Sequence, residues 1–509
     1  MVEFTAMNRR DFVRVSAAAT AAALCHQPTF ADSQRSAAVR LNLRADRLGN
    51  KIADDFTGLS YESAALGNPD FFSGDNTELA GFLKRLAPSG VLRLGGNTSE
   101  YCYWAPDPAK PAKRPDVESL RTGDKANPIA FGLAGPDAGS QAPASVGITP
   151  RAIRNLRGFL DTCGWKLIYG LNMGTGTAQD AADEAADVMD VLGAKLMAFQ
   201  LCNEPDLFFR NGLRKADYDV GQFVAEWQGF REAIRRRVPK AIFAGPDTAY
   251  NNEWLLPFAR HCKDHVAFLT HHYYAEGPPT DPSMTIARLL SPNPKLQGAL
   301  ARMKQASDEC GLPFRLAETN SCYQGGKPGV SDTFAGALWS ADLMYQLASE
   351  GVAGINLHGG GYGWYSPIAG TRENGFLARP EYYGMLLFAE GGSGQLIESR
   401  LQQLEGVPLL TAYALRSDAG AIHVVAFNKN MDRVVRLTVD GAQPAPRATA
   451  LRLLAPRVDD TTDTTVGGAP VGASGAWSPV REETLSPENG IVTIELPAAS
   501  AALIRFERQ

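Results

Sequence analysis

From residue 56 to residue 358 the chain repeats one pattern: a short, almost wholly apolar run, then a longer stretch with apolar residues at helical spacing. Eight runs read as buried strands: Phe56–Tyr61, Val91–Gly96, Lys166–Asn172, Met197–Cys202, Ala241–Gly245, Val266–His272, Phe314–Glu318 and Val352–His358. The stretches between them, such as Asp217–Val238 and Ser331–Glu350, carry helical spacing and polar caps. Eight strand–helix units in series predict a closed parallel (β/α)8 TIM barrel, here over residues 50–393, rather than an open sheet. From about Gly394 the pattern changes to short alternating runs with tight turns: Ile422–Phe427, Val434–Val439, Ala448–Leu454, Ile491–Leu496 and Ser500–Phe506. These predict a C-terminal antiparallel β-sandwich over 394–509. Val39–Ala45, within 32–49, also alternates, and having no place in the barrel it is expected to join that sheet. Asp459–Gly475 reads as an exposed loop, and Pro106–Thr149 as a long insertion that is either a wall of the cleft or a surface loop.

Residues 1–31 stand outside this pattern. Arg9 and Arg10 precede a short alanine-rich apolar stretch, Val15–Cys25, too short to span a bilayer. Thr29-Phe30-Ala31 then offers small residues where a signal peptidase reads them. The segment resembles a twin-arginine export signal, which implies a periplasmic or secreted protein. No other stretch is apolar enough for a membrane span, and a monomer is expected.

Composition narrows the function by exclusion. A hydrophobic content of 44% with 21% charged residues is ordinary for a soluble globular protein. The net charge of -5 argues against nucleic acid as a partner. The one dense basic cluster, Arg235–Arg237 with Lys240, falls at the end of a predicted helix, where it complements the dipole. Of the 7 cysteines, Cys25 leaves with the leader, and the rest lack CxxC or Cys/His spacing for zinc. No metal and no organic cofactor are expected.

The polar residues at strand ends carry the chemistry. Glu62, Asn97, Asn172, Glu204, Asp247, His271, Glu318 and His358 all fall at or just past the C-terminal end of a predicted strand, the face that bears barrel active sites. Asn and Asp there also serve as helix caps. Two glutamates at strand exits are harder to explain in that way. Glu204, in Asn203-Glu204-Pro205, ends the fourth run, and Glu318 ends the seventh. Hydrolysis of a glycosidic bond needs two such carboxylates facing one another. Asn203 could then bind a sugar 2-hydroxyl, and Tyr273 could donate to Glu318 and keep it ionised. His271 and His272 suggest a metal, but successive strand residues point to opposite faces.

Leu92-Arg-Leu-Gly-Gly-Asn-Thr, Asn203-Glu-Pro, His271-His-Tyr-Tyr and Glu318-Thr-Asn-Ser-Cys-Tyr-Gln-Gly-Gly resemble glycoside hydrolase family 79, the heparanase and β-glucuronidase family, and its bacterial exo-β-glucuronidases in particular. Ser331-Asp-Thr-Phe-Ala-Gly and the glycine-rich stretch to Tyr365 extend the match. The resemblance implies a retaining glycosidase that removes terminal β-D-glucuronic acid, with Glu204 as acid/base and Glu318 as nucleophile. It also implies that the backbone at Gln324 and Gly325, with Tyr365, holds the sugar carboxylate, and that Glu62 and Asn97 touch sugar hydroxyls. Gln324 stands where the mammalian heparanase pattern has another glycine. Three alternatives stand beside this: an endo-acting heparan sulfate hydrolase, an arabinofuranosidase of a related barrel family, and a non-catalytic carbohydrate-binding protein.

Overall fold

The computed structural model describes residues 37–107, 145–359, 363–402, 409–442 and 445–507. The expected export leader, most of the 106–149 insertion, and Gly360 and Gly361 lie outside the described residues. Eight strands, Thr57–Glu62, Val91–Gly95, Lys166–Gly170, Leu196–Gln200, Phe243–Thr248, Phe268–Glu276, Phe314–Cys322 and Gly354–His358, each pair in parallel with the next. The eighth pairs with the first, which closes the barrel.

Local sequence explains where the intervening helices start. Thr149 caps Pro150–Cys163 and Asn293 caps Pro294–Cys310, each with proline at the position whose N–H would have no partner. Asp219 and Gln222 form a reciprocal capping box on Val220–Arg237, and Arg235–Arg237 occupy its last turn. A small inner layer of Val91, Ile168, Ala198, Ala244 and Phe268 fills the barrel, separate from the outer core beneath the helices. Below it, the fully buried Arg315 donates to Asn356 at 2.6 Å and to the Asp55 carbonyl at 2.9 Å, which ties the floor of the barrel.

The C-terminal region forms a ten-stranded sheet whose inner faces enclose a second core that includes Val39, Leu41, Val424, Leu437 and Ile504. The N-terminal strand, Ala37–Ile52, enters this sheet between Gly394–Gln402 and Val435–Asp440. It runs antiparallel to the first and parallel to the second, so the sandwich is mostly, not wholly, antiparallel. A chain arriving from outside the meander can enter in either direction, because no hairpin fixes its polarity.

The segment Asp459–Gly475 is the expected exposed loop only in part: Asp459, Thr461–Asp463 and Gly472–Ser474 are exposed, whereas Thr464, Val466, Gly467, Ala469 and Gly475 are buried. The carbonyls of Val458 and Asp460 accept from Ala335 and Phe334 at the start of helix Phe334–Ser349, and Thr465–Val466 forms an edge strand. Ser474 and Gly475 pack on the backbone at Gly81 and Phe82 in helix Thr77–Leu86. Any side chain at Gly81 would strike the Ser474 carbonyl. At Gly81 and Gly475 the absence of a side chain allows this close approach. The cysteines at 102, 163, 202, 262, 310 and 322 are free, and all but Cys310 are buried. Among the described residues no helix is long and apolar enough to cross a membrane.

Candidate active site

The site at the C-terminal mouth of the barrel is built around a buried arginine. Arg93, in the middle of the second strand, is wholly buried, and a guanidinium there must spend all five of its N–H donors. It does so: on Glu318 and Asp247 at 2.6 Å each, Asn203 at 2.8 Å, Gln200 at 2.9 Å and Ser60 at 3.2 Å. Gly95, two residues along the same face, has no side chain because a Cβ there would collide with the guanidinium. One residue therefore gathers the first, second, fourth, fifth and seventh strands around a single point.

Glu204 leaves the fourth strand in the left-handed region, with φ 52°. Its N–H donates to the Asp247 carbonyl at 2.9 Å, and Pro205 opens a 3-10 turn behind it. This hold offsets the cost, on the order of 1–3 kcal/mol, of a left-handed non-glycine residue. Glu100 fixes the same corner by accepting the N–H groups of Asn203 and Gly174. One carboxylate oxygen each from Glu204 and Glu318 and a ring nitrogen of His272 lie within 4.8 Å of one another.

The two glutamates sit in opposed electrostatic settings. Burial pushes the Glu204 carboxyl above its ordinary range, helped by the Glu318 charge and opposed by its 3.1 Å contact with His272 Nδ1. Burial would raise Glu318 too, but His358, His272 and Arg93 outweigh it, together with a 2.7 Å hydrogen bond from the Tyr274 hydroxyl. Glu318 is thus held well below the usual carboxylate range. His272 works against burial of its own: Asp247 and Glu318 push it up to about 10, so the ring is an imidazolium at neutral pH. Its Nε2 lies 3.1 Å from Asp247 Oδ1, a charge contact out of line for a hydrogen bond.

Glu204, His272 and Glu318 have the spacing of a metal site. Their chemistry does not fit one. A protonated imidazole offers no lone pair, and Glu318 already accepts from Arg93 and Tyr274. Two carboxyls whose settings push their pKa values apart, Glu204 upwards and Glu318 downwards, can act as a general acid and a nucleophile.

Most of the residues singled out in the sequence converge here. Asn203 donates to Asn97 at 3.2 Å, and Glu62 accepts from the Thr98 N–H and hydroxyl at 2.8 and 2.6 Å, with His358 Nε2 3.6 Å away. Gln324, Gly325 and Gly326 follow one another with φ of 62°, 85° and 88°. The Gly325 carbonyl accepts from Trp364 at 2.6 Å, which sets this turn against the buried Tyr365. Tyr365 lies 6.2 Å from both the Tyr274 and the His358 rings, centroid to centroid.

Tyr273 is the exception, and its expected bond to Glu318 is made by Tyr274. Phe268 belongs to the inner layer of the barrel, so His272 and Tyr274 share its face of the strand. Tyr273, on the other face, packs into the outer core with Leu269 and Ala275. Arg93, Gln200, His272 and Tyr274 were not anticipated in these roles. The available signal was a charged or amide residue inside an apolar strand, as in Val91-Leu-Arg-Leu and Phe199-Gln-Leu.

Residues 412–503 match the glycosyl hydrolase family 79 C-terminal beta domain. A β-glucuronidase of Neurospora crassa is 24% identical over 446 residues, spanning 77% of this chain and 75% of that one. A 4-O-α-L-rhamnosyl-β-D-glucuronidase from Fusarium oxysporum superposes with a TM-score of 0.68 at 18% identity, covering 91% of this chain and 99% of its own. A family 51 arabinofuranosidase from Xanthomonas axonopodis also gives 0.68, at 15% identity over 92% of this chain and 100% of its own. The architecture alone therefore does not separate the two families. The C-terminal domain match and the β-glucuronidase that parallels three quarters of the sequence support the first: this glycosidase carries a C-terminal beta domain of the family 79 type.

Proposed function

We propose that the chain hydrolyses terminal β-D-glucuronides with retention, by double displacement. The observation that carries this is the pairing of a carboxyl raised by burial with one held ionised by three cations, oxygens within 4.8 Å. Retaining glycosidases place their two carboxyl groups about 5–5.5 Å apart, close enough for direct attack and too close for an intervening water. Glu318 attacks the anomeric carbon while Glu204 protonates the departing oxygen. The glycosyl–Glu318 ester is then cleaved by water that Glu204, now ionised, deprotonates. His272, bonded to Glu204 and charged against Glu318, eases both states: it stabilises the ionised Glu204 left after the first step and the free Glu318 after the second. Asn203, held by hydrogen bonds to Arg93 and Asn97, binds the sugar 2-hydroxyl in this reading, and Glu62 a further hydroxyl.

The preference for glucuronate rests on the turn at Gln324 and Gly325. Among the described residues their N–H groups donate to no protein acceptor, and consecutive left-handed residues turn such groups towards an anion. Tyr365 closes the same corner. The β-glucuronidase relative from Neurospora crassa supports the same substrate.

Initial rates on aryl β-D-glucuronide, β-D-glucoside and α-L-arabinofuranoside test the assignment. Glucuronide should be preferred by at least about tenfold, the worth of one charge-assisted hydrogen bond. Equal turnover of glucoside would overturn the carboxylate pocket, and turnover of the arabinofuranoside alone would assign the site to that chemistry instead.

A further inference from the structure

The loops that follow the fourth and fifth barrel strands are bound into one unit. Asp206, two residues beyond Glu204, accepts the N–H groups of Ala249, Tyr250 and Asn251 at 2.8, 3.2 and 3.0 Å. Glu204 is itself bonded to Asp247 across the same gap. On this unit three side chains lie together at the surface. Phe209 is 38% exposed and Tyr250 51%, whereas the adjacent Phe208 is buried. The Arg210 guanidinium lies over both exposed rings, 5.6 Å from the Phe209 centroid and 5.2 Å from that of Tyr250.

Single exposed apolar residues need no explanation, but two rings bridged by one cation, drawn from two loops, form a patch. A guanidinium between aromatic faces is planar and weakly hydrated, so the three groups present a continuous stacking surface. Its position carries the functional meaning. A general acid protonates the oxygen that departs, so the leaving group must lie on the side of Glu204, and Phe209 and Arg210 are the fifth and sixth residues beyond it.

We infer that Phe209, Arg210 and Tyr250 form a leaving-group subsite that stacks on a ring, carried by either an aryl group or a second sugar. This rests on the assignment of Glu204 as the acid. None of the three takes part in the chemistry; the platform sets which glucuronides are preferred.

The test compares kcat/KM for phenyl β-D-glucuronide, and for a disaccharide of glucuronic acid on N-acetylglucosamine, with that for β-D-glucuronosyl fluoride, whose leaving group has no ring. In Tyr250→Ala the ratio of ring-bearing substrate to fluoride should fall about three- to tenfold. Tyr250→Phe, which keeps the ring, should retain the wild-type ratio, and Phe209→Ala should lower it as Tyr250→Ala does. A fall confined to the phenyl glucuronide would define an aryl subsite, and one confined to the disaccharide a sugar subsite. Unchanged ratios for both substrates, or equal losses on all three, would overturn the inference. A wild-type enzyme inert towards all three glucuronides would instead overturn the glucuronidase assignment, and this subsite with it.

Discussion

Without the His272 imidazolium, Glu204, Asp247 and Glu318 would face one another with, among the described residues, Arg93 and His358 left to balance them. His272→Ala should therefore raise the pKa of both Glu204 and Glu318, since the ring lowers each of them. The proposed mechanism requires Glu318 ionised and Glu204 protonated, so both limbs of the kcat/KM–pH profile should move to higher pH. An unmoved profile would mean that the ring carries no charge in the working enzyme. The same group should mark stability. Its folded pKa of about 10 lies above the ordinary 6.5, so its contribution is complete below 6.5 and is lost as pH rises through about 10. Melting temperature should accordingly fall more steeply over that interval in the wild type than in His272→Ala. Tyr274→Phe removes a hydrogen bond to a charged acceptor, worth about 1.5–3 kcal/mol, and should lower kcat/KM on the order of ten- to a hundredfold. Tyr273→Phe, altering a side chain of the outer core, should change it far less. The two tyrosines also mark the limit of the sequence. A strand buried on both faces has no polar alternation, so nothing in Leu269-Thr-His-His-Tyr-Tyr tells which tyrosine faces the lumen. Glu204 and Glu318 were legible because a carboxylate at a strand exit, followed by proline or a polar run, has few structural uses.

Helix Phe334–Ser349 joins the two modules through one buried polar cluster. Asp342 on that helix is paired with Lys429, which follows strand Ile422–Asn428 of the sandwich. Asp342 also accepts from Thr411 at 2.7 Å and Tyr413 at 2.9 Å, both on strand Leu410–Ser417. Side-chain exposures of 10% and 8% leave little solvent to take over from either partner. Lys429→Ala should therefore destabilise the fold by about 3–5 kcal/mol, read as a lowered melting temperature, while the pH profile of activity keeps its shape. A change below 1 kcal/mol would show that water replaces the lysine. None of this was visible in the pattern of the elements. Asp342 sits in a helix so apolar that it has no clear polar face, and 14 of its 16 residues are buried. The docking of Asp459–Gly475 was hidden for a related reason: small residues look alike whether they allow mobility or close backbone contact.

At the scale of the molecule, the order of elements was legible because each barrel strand is a separate apolar run and each helix has its own caps. Closure followed from the count of eight, and the N-terminal strand was placed in the sandwich by its alternation. The direction of that strand was not legible, since the parallel pairing with Val435–Asp440 leaves no trace in either sequence. At the mouth of the closed barrel Arg93 draws five strands to one point, and two carboxyls there sit in settings that push the pKa of Glu204 up and that of Glu318 down. That division of roles is tested by removing the acid/base alone. In Glu204→Ala, an activated aryl β-glucuronide whose leaving group needs no proton should still form the glycosyl–Glu318 ester, and hydrolysis of the ester should stall for want of a base. Added azide needs no base, so turnover should recover. The configuration of the product is the measurement: the account predicts a β-glucuronosyl azide, from two inversions. An α-azide from this variant, or recovery to β-azide in Glu318→Ala instead, would contradict it.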